Sequence, residues 1–210
     1  MTSPPHPVAA AYQALLGRLD RWFHRAEARH PGVIPCCRGC AACCHGPFDI
    51  SVADALLVRE AVAALPDDER KAVRARAGAL LARFGTLAPA WGPPWDLASL
   101  GEEGFDRLAE SLATEPCPLL DEHGACRIYA SRPLLCRLMG LPLITPARRV
   151  LSNPCPIRRR FPAYAALAPQ PFDLDAFEAA EAAFRDAAAR ALPAARGEAG
   201  YETTIAAVLA

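Results

Sequence analysis

The chain reads as a mainly α protein with a small β-hairpin, a compact metal-centred α+β domain. Three observations lead there: helical periodicity at both ends, a proline- and glycine-rich middle with only short strand-like runs, and nine cysteines, five of them within nine positions. At 210 residues the chain suffices for one domain with its own core, and a second full domain is not required.

Val8, Tyr12, Leu15, Leu19 and Phe23 recur at helical spacing, and His30-Pro31-Gly32 ends the pattern, so segment 1–33 is an N-terminal amphipathic helix. Segment 34–157 holds every cysteine and is the metal-binding domain; 158–210 is a C-terminal helical segment packing on it. Ser51, with Asp54 three residues on, resembles a capping box that opens a helix to about Leu65. Pro66-Asp67-Asp68 restarts a second helix to about Phe84, giving a helical hairpin. Between Thr86 and Leu100, Pro93 and Pro94 exclude a continuous helix through Trp91 and Trp95. Those two rings are expected to fasten the loop to the core rather than line a ligand pocket. A short helix follows around Phe105 to Leu112.

The runs Cys117-Pro118-Leu119-Leu120 and Cys126-Arg127-Ile128-Tyr129 flank a turn at Asp121–Gly124, which predicts the hairpin. Ser131 before Arg132-Pro133 marks a helix start, Leu134 to Leu138 continue it, and Gly140 stops it. Leu141 to Ile144 and Arg149 to Leu151 are candidate strands, and Cys155 stands between Pro154 and Pro156. A last helix starts at Asp173, with Phe177, Phe184 and Ala188 on one face, and runs up to Pro193.

Charge narrows the function classes. With 23 basic and 23 acidic residues the net charge is zero, so no nucleic-acid or membrane partner is expected. The distribution is uneven: Asp96 to Glu122 holds eight acids against Arg107 alone, while Cys126 to Pro162 holds eight arginines and no acid. The start, Met1 to Pro7, lacks the basic and apolar stretches of a secretory signal, and no apolar run is long enough to span a bilayer. The expected location is the cytoplasm, where thiols stay reduced. No Gly-rich phosphate loop, Ser-His-Asp order or H-E-x-x-H occurs.

The cysteines Cys36, Cys37, Cys40, Cys43 and Cys44 lie too close in sequence to avoid one another. Crowded thiolates repel and crowded thiols oxidise unless a cation holds them. A disulfide framework suits neither the chain's size nor its neighbouring pairs Cys36-Cys37 and Cys43-Cys44. Zinc takes four N or S ligands, and iron–sulfur clusters also take four thiolates, so spacing leaves both open. Cys36, Cys40 and Cys43 match the gaps of radical S-adenosylmethionine enzymes, but the scarcity of strands and Ala42 before Cys43 speak against that class. His45 follows Cys44 as a weaker ligand candidate; His24 and His30 read as surface groups of the opening helix, and His123, in a turn, and His6, in the N-terminal tail, are not strong ligand candidates.

Cys37-Arg38-Gly39-Cys40-Ala41-Ala42-Cys43-Cys44, followed by Cys117-Pro118-Leu119, Cys126-Arg127-Ile128-Tyr129, Arg132-Pro133 and Cys136-Arg137, resembles the YkgJ-type cysteine-cluster family, a zinc- or iron-chelating domain. It is more distantly similar to flagellin lysine N-methylases, which carry an iron–sulfur cluster. The resemblance implies metal ligands at Cys37, Cys40, Cys43, Cys44, Cys117, Cys126 and Cys136, with Cys155 as a further match. Cys36 is either supernumerary or takes the place of Cys37. The implied cofactor is an iron–sulfur cluster, with zinc as the alternative; the implied role is redox chemistry or modification of a protein substrate, against non-catalytic structure, storage or partner docking. Arg132 is expected to set positive charge beside the thiolates, whose four-cysteine sites carry about two net negative charges.

Overall fold

The computed structural model describes residues 6–152 and 155–210. Residues 1–5, at the start of the chain, and 153–154, which include the proline before Cys155, lie outside the described residues. The elements run α1 (Pro7–Arg29), β1 (Asp49–Ser51), α2 (Val52–Ala63), α3 (Asp67–Leu87), α4 (Leu97–Leu100), α5 (Glu102–Ser111), α6 (Leu134–Leu138), β2 (Leu143–Ile144), β3 (Val150–Leu151), α7 (Pro162–Ala165), β4 (Gln170–Pro171), α8 (Leu174–Ala191), β5 (Glu202–Thr204) and α9 (Ile205–Leu209). The fold is mainly α with small β elements, as the sequence pattern anticipates.

Helix α1 forms where its apolar spacing places it. Pro7 presets the first turn, the His6 imidazole accepts from the Val8 N–H at 3.3 Å, and Tyr12, Leu16, Leu19, Trp22 and Ala26 make one buried stripe. Helix α2 is buried along its first two turns, from Val52 to Val58, because α1, α8 and α9 all pack on it. Its N-terminus shows half of the expected capping box: Ser51 Oγ accepts from the Asp54 N–H at 3.3 Å. The Asp54 carboxylate turns inward instead, where it accepts from Tyr12 Oη and from the Leu134 N–H, each at 3.0 Å. Helix α3 begins with Asp67, Asp68 and Glu69, which suit the positive end of the helix dipole, and packs on α9.

The tryptophan loop is a fastening. Trp91 and Trp95 meet edge-on with centroids 5.0 Å apart, and both lie against Phe84 of α3. Trp91 Nε1 donates to the Asp96 carbonyl at 2.9 Å, while Tyr201 Oη and Thr203 Oγ1 donate to the carbonyls of Pro94 and Trp95. Asp96 then caps α4, so helical structure resumes earlier than the apolar pattern around Phe105 suggests.

The predicted hairpin narrows to one bridge, Leu120 with Cys126, supported by the Arg127 N–H donating to the Leu119 carbonyl at 3.0 Å. Pro118 has no N–H to extend a ladder, and the other arm coils into a 3-10 turn at Tyr129–Ser131. Asp121 closes the turn by accepting from the N–H groups of His123 and Ala125. The expected strand pair is β2 with β3, antiparallel; β4 adds to it in parallel, and β1 pairs with β5.

Phe84 of α3 is fully buried against the tryptophan pair. Phe84→Ala is expected to lower unfolding free energy by about 3–5 kcal/mol in urea denaturation, through lost burial and the cavity left behind.

Candidate metal centre

The loop after α1 folds as two consecutive turns. The Cys40 N–H donates to the Cys37 carbonyl at 3.0 Å and the Cys44 N–H to the Ala41 carbonyl at 2.9 Å, with Gly39 at φ 92° permitting the first. The loop's far end is sewn to the next cysteine segment. The Cys117 N–H donates to the Cys44 carbonyl at 2.9 Å, His45 bridges Pro116, and the Gly46 N–H donates to the Glu115 carbonyl at 2.7 Å. The Leu120 bridge brings Cys126 alongside Cys117, and α6 supplies Cys136.

These segments enclose a cavity of about 470 Å³ lined by Cys36, Cys37, Cys40, Cys43, Cys44, Cys117, Cys126 and Cys136. Of the expected ligands, Cys117 and Cys155 are buried, Cys40, Cys43, Cys44, Cys126 and Cys136 are half-buried, and Cys37 is exposed. Cys36 is half-buried. Cys155 is not part of the cavity lining, but its thiol and that of Cys36 both lie within hydrogen-bonding reach of the Tyr164 hydroxyl. All nine cysteines are free. Among the described residues, no three His, Cys, Asp or Glu side chains are drawn together as a formed ion site; the sulfurs ring the space instead. His45 is exposed, whereas His24, Asp20 and Glu27 of α1 reach the cavity rim.

Burial dominates the thiol electrostatics. It pushes Cys36 and Cys117 up to about 12 and raises Cys126 and Cys136, with neighbouring thiols adding to the effect on Cys36, Cys117 and Cys136. Cys43 moves the other way, because it accepts a hydrogen bond from the Cys44 thiol and feels the Arg132 guanidinium; Cys44, the donor, is raised. Ionising several of these sulfurs together therefore requires a cation among them.

The arginine-rich segment divides into distinct roles. Arg137 is almost fully buried and wholly engaged: Nε donates to the Arg132 carbonyl at 2.9 Å, Nη2 to the Ala130 carbonyl at 2.7 Å, and Nη1 pairs with Asp20 of α1. Arg132 stacks 3.8 Å above the Tyr129 ring and reaches Asp20 only at 3.5 Å. Arg127 pairs with Glu69 and Glu122, Arg149 with Asp175, and Arg158 to Arg160 are exposed. Soft sulfur donors beside guanidinium groups, around a space much wider than one ion, fit zinc or an iron–sulfur group by donor chemistry.

Sequence reasoning did not assign Asp20, Asp54 or Tyr164 to the site. Asp54 had a readable signal, an acid inside the apolar run Val52 to Val58. Tyr164 had none, because it lies beyond the last cysteine and acts only through the tertiary fold.

The arrangement defines a protein with a thiol-lined cavity. Residues 36–155, more than half of the chain, match the family model CxxCxxCC, described as a "putative zinc- or iron-chelating domain". The chain belongs to that family. Searches of curated proteins and of solved structures return no match.

Behind the site, burial raises Asp54 to about 7 despite the hydrogen bonds from the Leu134 N–H and Tyr12. A carboxyl whose folded value lies above its unfolded value of about 3.9 stabilises the fold when protonated, and that contribution is lost as pH rises from about 4 through 7. Asn can accept the same two bonds, since both go to Oδ1. Asp54→Asn is therefore expected to gain stability relative to wild type between pH 5 and pH 8, by up to about 3 kcal/mol, since each tenfold change in proton affinity is worth roughly 1.4 kcal/mol. Denaturant melts at the two pH values check this; an unchanged difference refutes it.

Proposed function

We propose that this chain holds an iron–sulfur cluster on its cysteines and uses it in the cytoplasm for redox chemistry or for modifying a protein side chain. The observation that carries the reading is the cavity of about 470 Å³ with eight cysteines in its wall. A structural zinc site is closed, with four ligands at about 2.0–2.3 Å, and leaves no comparable space inside its sulfur shell. The ligands are Cys40, Cys43, Cys44, Cys117, Cys126, Cys136 and Cys155, with a further one from the neighbouring pair Cys36 and Cys37. A bound cluster would supply one-electron chemistry. The chain's own contribution is to fix the thiolates and to place guanidinium charge beside them. The alternative, a zinc- or iron-holding protein without catalysis, is favoured by the exposed run Arg158 to Arg160, which suits docking of an acidic partner surface.

Protein purified without oxygen is expected to be brown, with iron and acid-labile sulfide bound in comparable amounts. Colourless protein that holds stoichiometric zinc and takes up no iron or sulfide on reconstitution would select the alternative.

Removal of the metal is expected to loosen residues 34–157 more than α1 and α8, because ligands from sequence-distant loops are tied together through it. Hydrogen exchange of holo and chelated protein checks this. Equal protection of the central segment in both would refute it.

A further inference from the structure

Three buried side-chain polar atoms among the described residues lack a hydrogen-bond partner: Arg76 Nη2, Arg127 Nε and Arg132 Nε. All three are guanidinium nitrogens on, or against, the segment from Cys117 to Arg132. Buried donors are almost always paired, and leaving one unpaired destabilises the fold. Two of these arginines still have their charge met. Arg127 Nη1 and Nη2 lie 2.7 and 3.2 Å from Glu69 and Glu122, and Arg132 stacks on Tyr129 with Asp20 at 3.5 Å. Arg76 has neither a carboxylate within ion-pair distance nor an aromatic face among the described residues; its one recorded bond is to a backbone carbonyl.

Arg76 belongs to α3 and to none of the cysteine motifs. It stands three residues after Val73 and four before Leu80, both buried, so its half-buried stem leaves the helix on the inward side. The head crosses to the cysteine segment, where Nε donates to the Pro118 carbonyl at 3.0 Å, one residue from the buried Cys117. The acids around it are taken. Glu69 of the same helix is held by Arg127, Glu115 by Arg83, and Asp121 by the N–H groups of His123 and Ala125. A guanidinium does not lose its proton in a protein, so Arg76 keeps an unmatched charge and a buried N–H without an acceptor. The neighbouring group that can match both is Cys117: a thiol becomes a thiolate when it binds metal. The Arg76 charge already opposes the rise that burial imposes on that thiol.

We propose that Arg76 is the counter-ion of the Cys117 thiolate in the metal-loaded protein, donating from Nη2 to the ligating sulfur while Nε stays on the Pro118 carbonyl. One planar fork then holds both the backbone and the sulfur of this ligand segment. Partners of this kind orient a metal ligand and tune the metal it binds. Arg76 is thus a positioning residue that sets metal affinity from outside the cysteine set. The inference rests on the thiolate-metal reading above and adds to it the group that balances one of its ligands.

Zinc serves as the probe, independent of which metal the protein carries when isolated. Reduced, metal-free full-length chain competes with a chromophoric chelator for Zn²⁺, and helical circular dichroism confirms that each variant is folded. Arg76→Met keeps an unbranched apolar stem and is expected to bind zinc about 10- to 100-fold more weakly than wild type, the loss typical when the partner of a metal ligand is removed. Arg76→Lys, which keeps the charge, is expected to recover most of that loss. Arg127→Met is expected to bind as wild type, because Glu69 and Glu122 already neutralise Arg127. Where Arg76→Met does not fold, Arg76→Gln, uncharged but still a donor, takes its place in the comparison. Zinc affinity unchanged in the uncharged variant, or lowered equally in Arg76→Lys or in Arg127→Met, would overturn the assignment of Arg76 alone. A wild-type chain that binds no zinc and no iron would overturn the thiolate-metal reading with it.

Discussion

One buried carboxylate holds the cysteine-bearing segments in relation to the helical scaffold. Asp54 projects from α2 into the core, accepts from Tyr12 of α1, and caps the first N–H of α6, two residues before Cys136. A five-residue helix has almost no stability of its own, since nucleation costs more than so few bonds return. The orientation of α6 therefore depends on groups outside it: Asp54 at its start, and the Arg137 side chain, which binds Asp20 of α1 and two carbonyls of the preceding turn. Through these contacts α1 and α2, which contain no cysteine, set where Cys136 stands. The nearby Glu181 is buried too, where it accepts from Ser51 Oγ and Arg185 Nε, so the acids behind the site are hydrogen-bonded.

The cysteine loop depends on the same scaffold from the other side. Its backbone is satisfied by two local turns and by strand-like bonds to residues 115–117, a sparse set for a segment carrying five thiols. Apolar packing holds the ends: Ile34 and Phe48 lie against the core, and β1 pairs with β5 just beyond. Between those anchors the sulfurs are oriented by neighbours, as Gly140 and Tyr164 do for Cys36. Such a loop keeps thiols available to a metal while the surrounding helices supply the folding energy.

Legibility from the sequence followed the range of the interactions. Helices α1, α2, α3 and α8 were readable because their signals are local: apolar spacing, Ser51 and Asp173 as caps, and Pro66 as a break. The strand pair β1 and β5 was not, since three-residue strands have no measurable period and their partner lies at the opposite end of the chain. The predicted hairpin was right in position and turn chemistry but too regular, because an alternating pattern does not register the donor that Pro118 lacks. At the site, cysteine spacing announced metal chemistry and family membership, and seven of the cysteines expected as ligands line a single shared cavity. That Cys36 packs against Gly140 and Tyr164 while Cys37 stays exposed was invisible, because those partners lie far along the chain.

So many thiols in one cavity wall raise an electrostatic question that the arginines answer. Four thiolates around a divalent cation would carry a net charge of about −2. Arg132 lies where its positive charge lowers Cys43 and opposes the rise that burial imposes on Cys126. Its buried Nε has no hydrogen-bond partner among the described residues, its Asp20 contact is long, and stacking on Tyr129 holds the plane in position without neutralising its charge. Arg137, bound closely by Asp20 and two carbonyls, builds the wall, whereas Arg132 keeps its positive charge beside the sulfurs.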